Sequence, residues 1–352
     1  MKRTTAFLIA VLILIPMFSS CAQTDNPGNK DETLKIVCTI FPQYDWVSQV
    51  LGDRADDVDL TLLIAGGVDL HNYQPSVDDI ITISICDLFI YVGGESDKWV
   101  GDALREAVNP NMAVITLLDL LGNAAKIEEL LEGMENGEHY HAHDEEHGHA
   151  HNHDDEHAHE HDDEHSHDDN ELDGEYDEHV WLSLRNATAF CVAIADALST
   201  LDADNADTYR SNATAYIEKL SALDARYEAA VARSDSRTLL FGDRFPFRYL
   251  ADDYDIRCYA AFPGCSAETE AGFGTIVFLS EKVDELNLNC IMVTESSDRA
   301  IAETIADNTA NKDQRILVMD AMQSVTQDDI RNGTTYLSVM ESNLDVLKEA
   351  LK

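Results

Sequence analysis

The chain has 352 residues, long enough for two domains of ordinary size, and 45% of them are apolar, enough to build two cores. Its 67 Asp and Glu against 24 Lys and Arg leave a formal charge of -43. That balance excludes nucleic acid and anionic lipid as electrostatic partners and favours cations as ligands.

MKRTTAFLIAVLILIPMFSSC opens with Lys2 and Arg3, runs through apolar residues from Ala6 to Ile15, and ends on Ser19 and Ser20 before Cys21. Residues 1–21 therefore read as a secretory signal, too short for a comfortable membrane span. The end resembles a bacterial lipobox, with Phe18 where Leu is usual. This implies that Cys21 is lipidated, becomes the new N-terminus, and anchors an extracytoplasmic protein to the cell membrane. Residues 22–33 are polar, contain Pro27 and Gly28, and read as a tether.

LKIVCTI (34–40), DLTLLIA (59–65), DLFIYVG (87–93) and AVITLLD (113–119) are short apolar runs separated by helix-like stretches. The same grammar returns in RTLLFGD (237–243), IRCYAAF (256–262), NCIMVTE (289–295) and RILVMDA (315–321). Such alternation predicts βα units on parallel sheets. SLRNATAFCVAIADALSTL reads as a helix with Ser183 as its N-cap. Residues 204–234 carry Tyr209, Ala213, Tyr216, Leu220, Leu223, Tyr227 and Val231 at spacings of three or four, without Gly or Pro. They predict one amphipathic helix of roughly 45 Å, a rod that restrains the two halves. The expected fold is thus α/β, with two lobes, each a parallel sheet flanked by helices: an N-terminal lobe over 34–203, the linking helix over 204–234, and a C-terminal lobe over 235–352.

Within the first lobe, residues 138–169 hold twelve of the fourteen histidines and thirteen acidic residues, with no Lys or Arg. Almost nothing there is apolar, so residues 138–175 are expected to stay disordered. An acidic linker would need only Asp and Glu. Imidazoles at His139, His141, His143, His147, His149, His151, His153, His157, His159, His161, His165 and His167 favour an accessory segment that captures transition metal.

His71 and His179 are the only other imidazoles. A single histidine is ordinarily structural, so position decides. Ligands of open parallel sheets bind beyond the carboxyl ends of the strands. His71 follows a strand through Gly66-Gly67, Asp243 follows RTLLF, Glu295 ends NCIMVT, Asp320 follows RILVM, and His179 lies just before the Ser183 helix. Five candidates from both lobes thus converge on one cleft. Cys38, Cys86 and Cys191 sit in apolar patterns and read as buried thiols. Cys258, Cys265 and Cys290 are close enough in sequence for one disulfide, whose pairing sequence cannot choose.

The motifs IVCTIFPQYDWVSQVLGD, GVDLHNYQPSVDDI, DLFIYVGGESDKWV and DEHVWLSLRNA resemble those of the metal-binding receptors of zinc and manganese ABC importers, the cluster A-I solute-binding proteins. The resemblance runs from about Leu34 to the C-terminus. It implies a first ligand from the His-x-Tyr-x-Pro motif, at His71, and a second from His-Val-Trp-Leu, at His179. The second half departs from the pattern: Phe241-Gly242-Asp243 replaces the Phe-His-Asp of zinc members, so the usual third ligand is missing. Asp243 is its nearest substitute, although pairing with Arg244 or Arg248 would make it structural. The fourth position matches Asp320, and Glu295 is expected behind the ligands rather than on the metal.

Two histidines with carboxylates suit Zn(II), whereas Mn(II) prefers more oxygen. The His-rich segment favours Zn(II). The expectation is a monomeric, non-enzymatic receptor delivering Zn(II) to an ABC permease and its ATPase, with no nucleic-acid partner. An Mn(II) or Fe(II) receptor of the same family is the near alternative. A secreted metallohydrolase is a rival of another class, but HExxH and G-x-S-x-G are both missing. A metal buffer or adhesin-like surface protein is a third.

Overall fold

The computed structural model describes residues 33–134, 175–266 and 270–352. The signal, Cys21, the tether up to residue 32 and the whole His-rich run lie outside these residues.

All eight expected strands form. In the first half β1 (Lys35–Cys38), β2 (Asp59–Leu62), β3 (Leu88–Tyr91) and β4 (Ala113–Thr116) pair in the order β2-β1-β3-β4, every pair parallel. Helices α1 (Phe41–Leu51), α2 (Val77–Ser84), α3 (Val100–Arg105) and α4 (Leu117–Leu121) connect or follow them. Then come α5 (Leu184–Leu201), capped by the Ser183 side chain accepting from the Asn186 N–H, and α6 (Ala206–Ala232). In the second half β5 (Thr238–Phe245), β6 (Arg257–Pro263), β7 (Cys290–Thr294) and β8 (Arg315–Met319) repeat the arrangement as β6-β5-β7-β8, again parallel. Helices α7 (Arg248–Asp253), α8 (Phe273–Leu286), α9 (Ala300–Asn308), α10 (Gln327–Arg331) and α11 (Tyr336–Ala350) complete it.

In each sheet the strand order reverses beside the first strand, and this puts a crevice at the carboxyl ends of β1 and β3, and of β5 and β7. The seven residues that give α6 its pattern are all buried. At 27 residues it spans about 40 Å.

The two halves do not keep separate cores. One continuous apolar cluster joins Trp46 and Phe190 to Phe241, Met319 and Tyr336. Smaller clusters cover only the outer faces of each sheet. Trp46 meets Tyr336 edge-on with ring centroids 5.1 Å apart. Buried Asp45 of α1 accepts from the Tyr336 N–H at 3.1 Å and from the Tyr216 hydroxyl at 3.3 Å, tying α1, α6 and α11 together. Burial, partly offset by the Tyr336 N–H, pushes the Asp45 carboxyl up to about 6. Among the described residues no helix is long and apolar enough to cross a membrane.

Candidate metal centre

After β2 the chain turns through Gly66-Gly67, where Gly66 bridges to Thr326 of the second half. The Asp69 carboxylate then accepts from the His71 N–H at 3.0 Å, fixing the short turn that carries the first histidine. Asp69 is itself held by Arg244 of the second half at 2.8 Å. Burial alone would raise the Asp69 carboxyl, but Arg244 and His71 outweigh it and hold it below the usual range. The expected pairing of Asp243 with Arg244 or Arg248 does not occur: Arg244 holds Asp69, and Arg248 reaches Glu129 and Asp252.

The second histidine sits in Asp177-Glu178-His179, fully buried. Asp177 Oδ1 accepts from the His179 backbone N–H at 2.9 Å and lies 3.1 Å from His179 Nδ1. Two residues on, the Trp181 indole N–H donates to the Ala321 carbonyl at 2.9 Å, and the Tyr336 hydroxyl donates to the Trp181 carbonyl at 2.7 Å. The His-Val-Trp-Leu motif therefore supplies a cross-lobe pin as well as an imidazole. Just upstream, Ile127 bridges Tyr176, and backbone hydrogen bonds of 2.7 and 2.8 Å join Glu128 to Glu175 and Asp177 to Lys126.

The two rings face each other with Nε2 atoms 3.2 Å apart. Behind His71, Nδ1 is 2.7 Å from Ser96 Oγ and 3.3 Å from Glu178 Oε2. Burial opposes ionisation of Glu178, but His71 and Ser96 together hold its carboxyl below the usual range. Each Nδ1 thus has an acceptor behind it, which sets the tautomer that leaves both Nε2 lone pairs pointing inward. One inward lone pair has a partner: the Gln323 side-chain amide lies 3.0 Å from His179 Nε2.

The carboxylates expected from the second half accept hydrogen bonds from the strand-end turns around them. Asp243 lies where the β5–β6 register shifts between Phe241 and Arg244. One of its oxygens accepts from the Thr294 N–H and hydroxyl at 2.9 and 2.7 Å, the other from the Arg244 N–H. Asp320 accepts from the Met322 N–H at 2.7 Å. Burial, followed by the neighbouring Glu295 charge, pushes it up to about 6. Glu295 accepts from the Ala321 and Gln323 N–H groups at 2.8 and 2.9 Å, so it shapes the turn that presents Gln323 to His179. Position 242 is closed to a side chain, because a Cβ on Gly242 would lie 2.6 Å from the Ala302 Cα of α9.

One group of His, Cys, Asp or Glu ligand atoms suited to a metal occurs among the described residues: His71, His179 and Cys265, all within 4.8 Å of one another. Neither Asp243 nor Asp320 joins it. The disulfide expected among Cys258, Cys265 and Cys290 is absent. All six described cysteines are free, and five are buried, including Cys38, Cys86 and Cys191. Cys265 is the half-exposed one. Burial, then the charges of Glu128, Asp177 and Glu178, push its thiol up, while a backbone hydrogen bond from Glu178 pulls the other way. Cys265 and Gln323 are the residues that sequence reasoning passed over. Cys265 follows β6 by two positions, so the strand-end rule that selected the others would have selected it. Beside this group a cleft of about 340 Å³ opens between Asp69 and Asn72 on one side and Asp243, Arg244 and Thr294 on the other.

Residues 36–350 match the family described as zinc-uptake complex component A, periplasmic (ZnuA). The chain is 31% identical over 350 residues to the zinc-binding lipoprotein AdcA of Streptococcus pneumoniae, covering 99% of this chain but 61% of that one. It therefore spans less than two thirds of that relative's length. The high-affinity zinc uptake system protein ZnuA of Bacillus subtilis is 28% identical over 353 residues, covering 99% and 98% of the two chains. The crystal structure of the Zn(II)-bound ZnuA-like domain of S. pneumoniae AdcA superposes with a TM-score of 0.65 at 27% identity, covering 91% of this chain and 99% of that one. The metal-dependent lipoprotein YcdH of B. subtilis, at 24% identity and a TM-score of 0.66, shares the fold.

Proposed function

Because the chain belongs to the zinc-uptake complex component A family, we propose that it is the extracytoplasmic receptor of a metal ABC importer, taking Zn(II) in the cleft and passing it to a permease driven by an ATPase. His71 and His179 bind the ion through Nε2, Cys21 carries the lipid anchor, and the His-rich run is an accessory metal collector. The observation that carries this reading is the imidazole pair. Two Nε2 atoms bonded to one tetrahedral zinc at about 2.0–2.1 Å stand about 3.3 Å apart, and here they stand 3.2 Å apart with an acceptor behind each ring.

Gln323 supports the reading too. Its amide lies 3.0 Å from His179 Nε2, so a cation bound there would displace a neutral hydrogen bond rather than a charge. The relatives named for zinc uptake or zinc binding favour Zn(II) over Mn(II) or Fe(II). A hydrolase is disfavoured because neither Asp243 nor Asp320 joins the His71–His179–Cys265 group, so neither stands beside the place where the ion and its water would sit.

The test is zinc titration against a competing chelator for the full chain, His71→Ala, His179→Ala and a variant lacking residues 135–174. Each histidine variant should lose at least about a hundredfold in affinity, roughly 2.7 kcal/mol. The deletion should lose weaker sites and keep the tight one. Histidine variants with unchanged affinity would refute the cleft assignment, and loss of the tight site on deletion would move it to the His-rich run.

A further inference from the structure

We propose that Cys265 Sγ is the third protein ligand, making the centre a His2Cys site whose thiolate selects Zn(II) over Mn(II). The proposal rests on the cleft reading above and adds a residue and a selectivity to it. Its geometry is on hand: the Cys265 sulfur and the two imidazole nitrogens lie within 4.8 Å of one another, the only such group among the described residues. Ligand atoms sharing one zinc, at about 2.0–2.1 Å for nitrogen and about 2.3 Å for sulfur, must be that close.

The chain is shaped to deliver this sulfur. β6 ends at Pro263, and Gly264 then passes against the second histidine: a Cβ there would lie 3.0 Å from His179 Cε1 and 2.9 Å from the Phe245 carbonyl oxygen. Only a residue without a side chain lets the turn approach the ring this closely. The next residue is fixed from across the cleft, its N–H donating to Glu128 Oε1 at 2.9 Å. The five other described cysteines are buried, whereas Cys265 is partly open. Position 242 offers no alternative, because Ala302 closes it.

The chemistry balances simply. Zinc displaces the thiol proton, a Zn–S bond replaces the S–H bond, and one proton leaves to solvent. Soft thiolate suits zinc and serves manganese poorly, which prefers oxygen donors. The carboxylates of the second half can then brace loops without leaving the metal short of ligands.

The full chain loaded with one equivalent of Co(II), alone and as Cys265→Ser and His71→Ala, tests this. The native protein should show a near-ultraviolet thiolate-to-cobalt band that disappears in Cys265→Ser while visible cobalt bands survive. Zinc affinity should fall at least tenfold and the preference for zinc over manganese should narrow. Zinc-edge X-ray absorption of the native protein should show one sulfur at about 2.3 Å. This second readout stands if the serine variant fails to fold. A native spectrum with visible bands that vanish in His71→Ala but no thiolate band would overturn the role of Cys265 and leave the cleft standing. A thiolate band that persists in Cys265→Ser would overturn it as well. No metal in the cleft of any form would overturn both readings.

Discussion

The two walls of the cleft are built on different principles. The first half contributes both imidazoles, each with a carboxylate behind it, so its acids work on the rings proposed as ligands. The second half contributes Asp243, Glu295 and Asp320, whose oxygens accept backbone N–H groups of the strand-end turns. Its acids work on the chain. A carboxylate placed behind an imidazole orients it and raises its basicity, whereas one capping a turn fixes where that turn can go. Acids at strand ends are therefore not equivalent as evidence for a metal: what matters is which hydrogen-bond donors already claim them.

This contrast can be broken most directly on the first wall. Glu178→Gln keeps the shape but removes the charge behind His71, and zinc affinity in chelator competition should fall between about tenfold and a hundredfold, the usual cost of losing such a partner. A loss under threefold would show that Ser96 alone orients the ring. On the second wall, Asp320→Asn preserves an acceptor for Met322 and should change zinc affinity by less than about threefold. Asp243→Ala should do the same to affinity while lowering unfolding stability by about 1–3 kcal/mol, because the Thr294 N–H and hydroxyl lose their acceptor. If Asp320→Asn lost as much affinity as the histidine variants, Asp320 would be a ligand and the contrast would vanish.

The smallest effect on zinc should come from Asp45, which joins the walls far from the ligands. Its carboxyl is raised from the ordinary 3.8 to about 6 by burial. The folded state therefore holds the proton more tightly than the unfolded chain. The cost of ionising it is absent below about pH 4 and complete above about pH 6, so this group erodes stability as pH rises through that window. Asp45→Asn should gain up to about 3 kcal/mol over the native protein at pH 7 in chemical denaturation, gain nothing at pH 4, and leave zinc binding unchanged. A gain equal at both pH values would mean that packing, not charge, is the cause.

Much of the first wall was legible because its determinants are local. The turns that carry His71 and His179 are each fixed by an aspartate two residues upstream, Asp69 and Asp177, although the Glu178 behind the His71 ring comes from far along the chain. The alternation of apolar runs likewise specified eight strands and α6, down to the seven residues it buries. The second wall was less legible because its determinants are remote. Nothing near Asp243 announces that Thr294, 51 residues on, takes its oxygen. Cys265 looked like half of a disulfide because counting cysteines in an exported chain suggests pairing. Its place beside two imidazoles depends on β6 lying next to β5 and on Gly264 fitting under a ring. Separate cores were the natural expectation for a chain this long, yet Trp46, Tyr216 and Tyr336 fuse them.

That fused core bears on how quickly an ion can leave. Separating the walls as whole bodies would strip water-excluded contacts such as Trp46 against Tyr336 and strand the Asp45 hydrogen bonds, a barrier drawn from global stability. Moving the Gly264-Cys265 turn disturbs only a few hydrogen bonds, whereas the Gln323 turn is anchored by Ala321 and Met322 in the fused core. Discharge is therefore expected to proceed one bond at a time. On the proposed receptor reading, a docked permease would shorten the residence time of the ion by pressing on the Gly264-Cys265 turn, with the rest of the receptor serving as a fixed anvil.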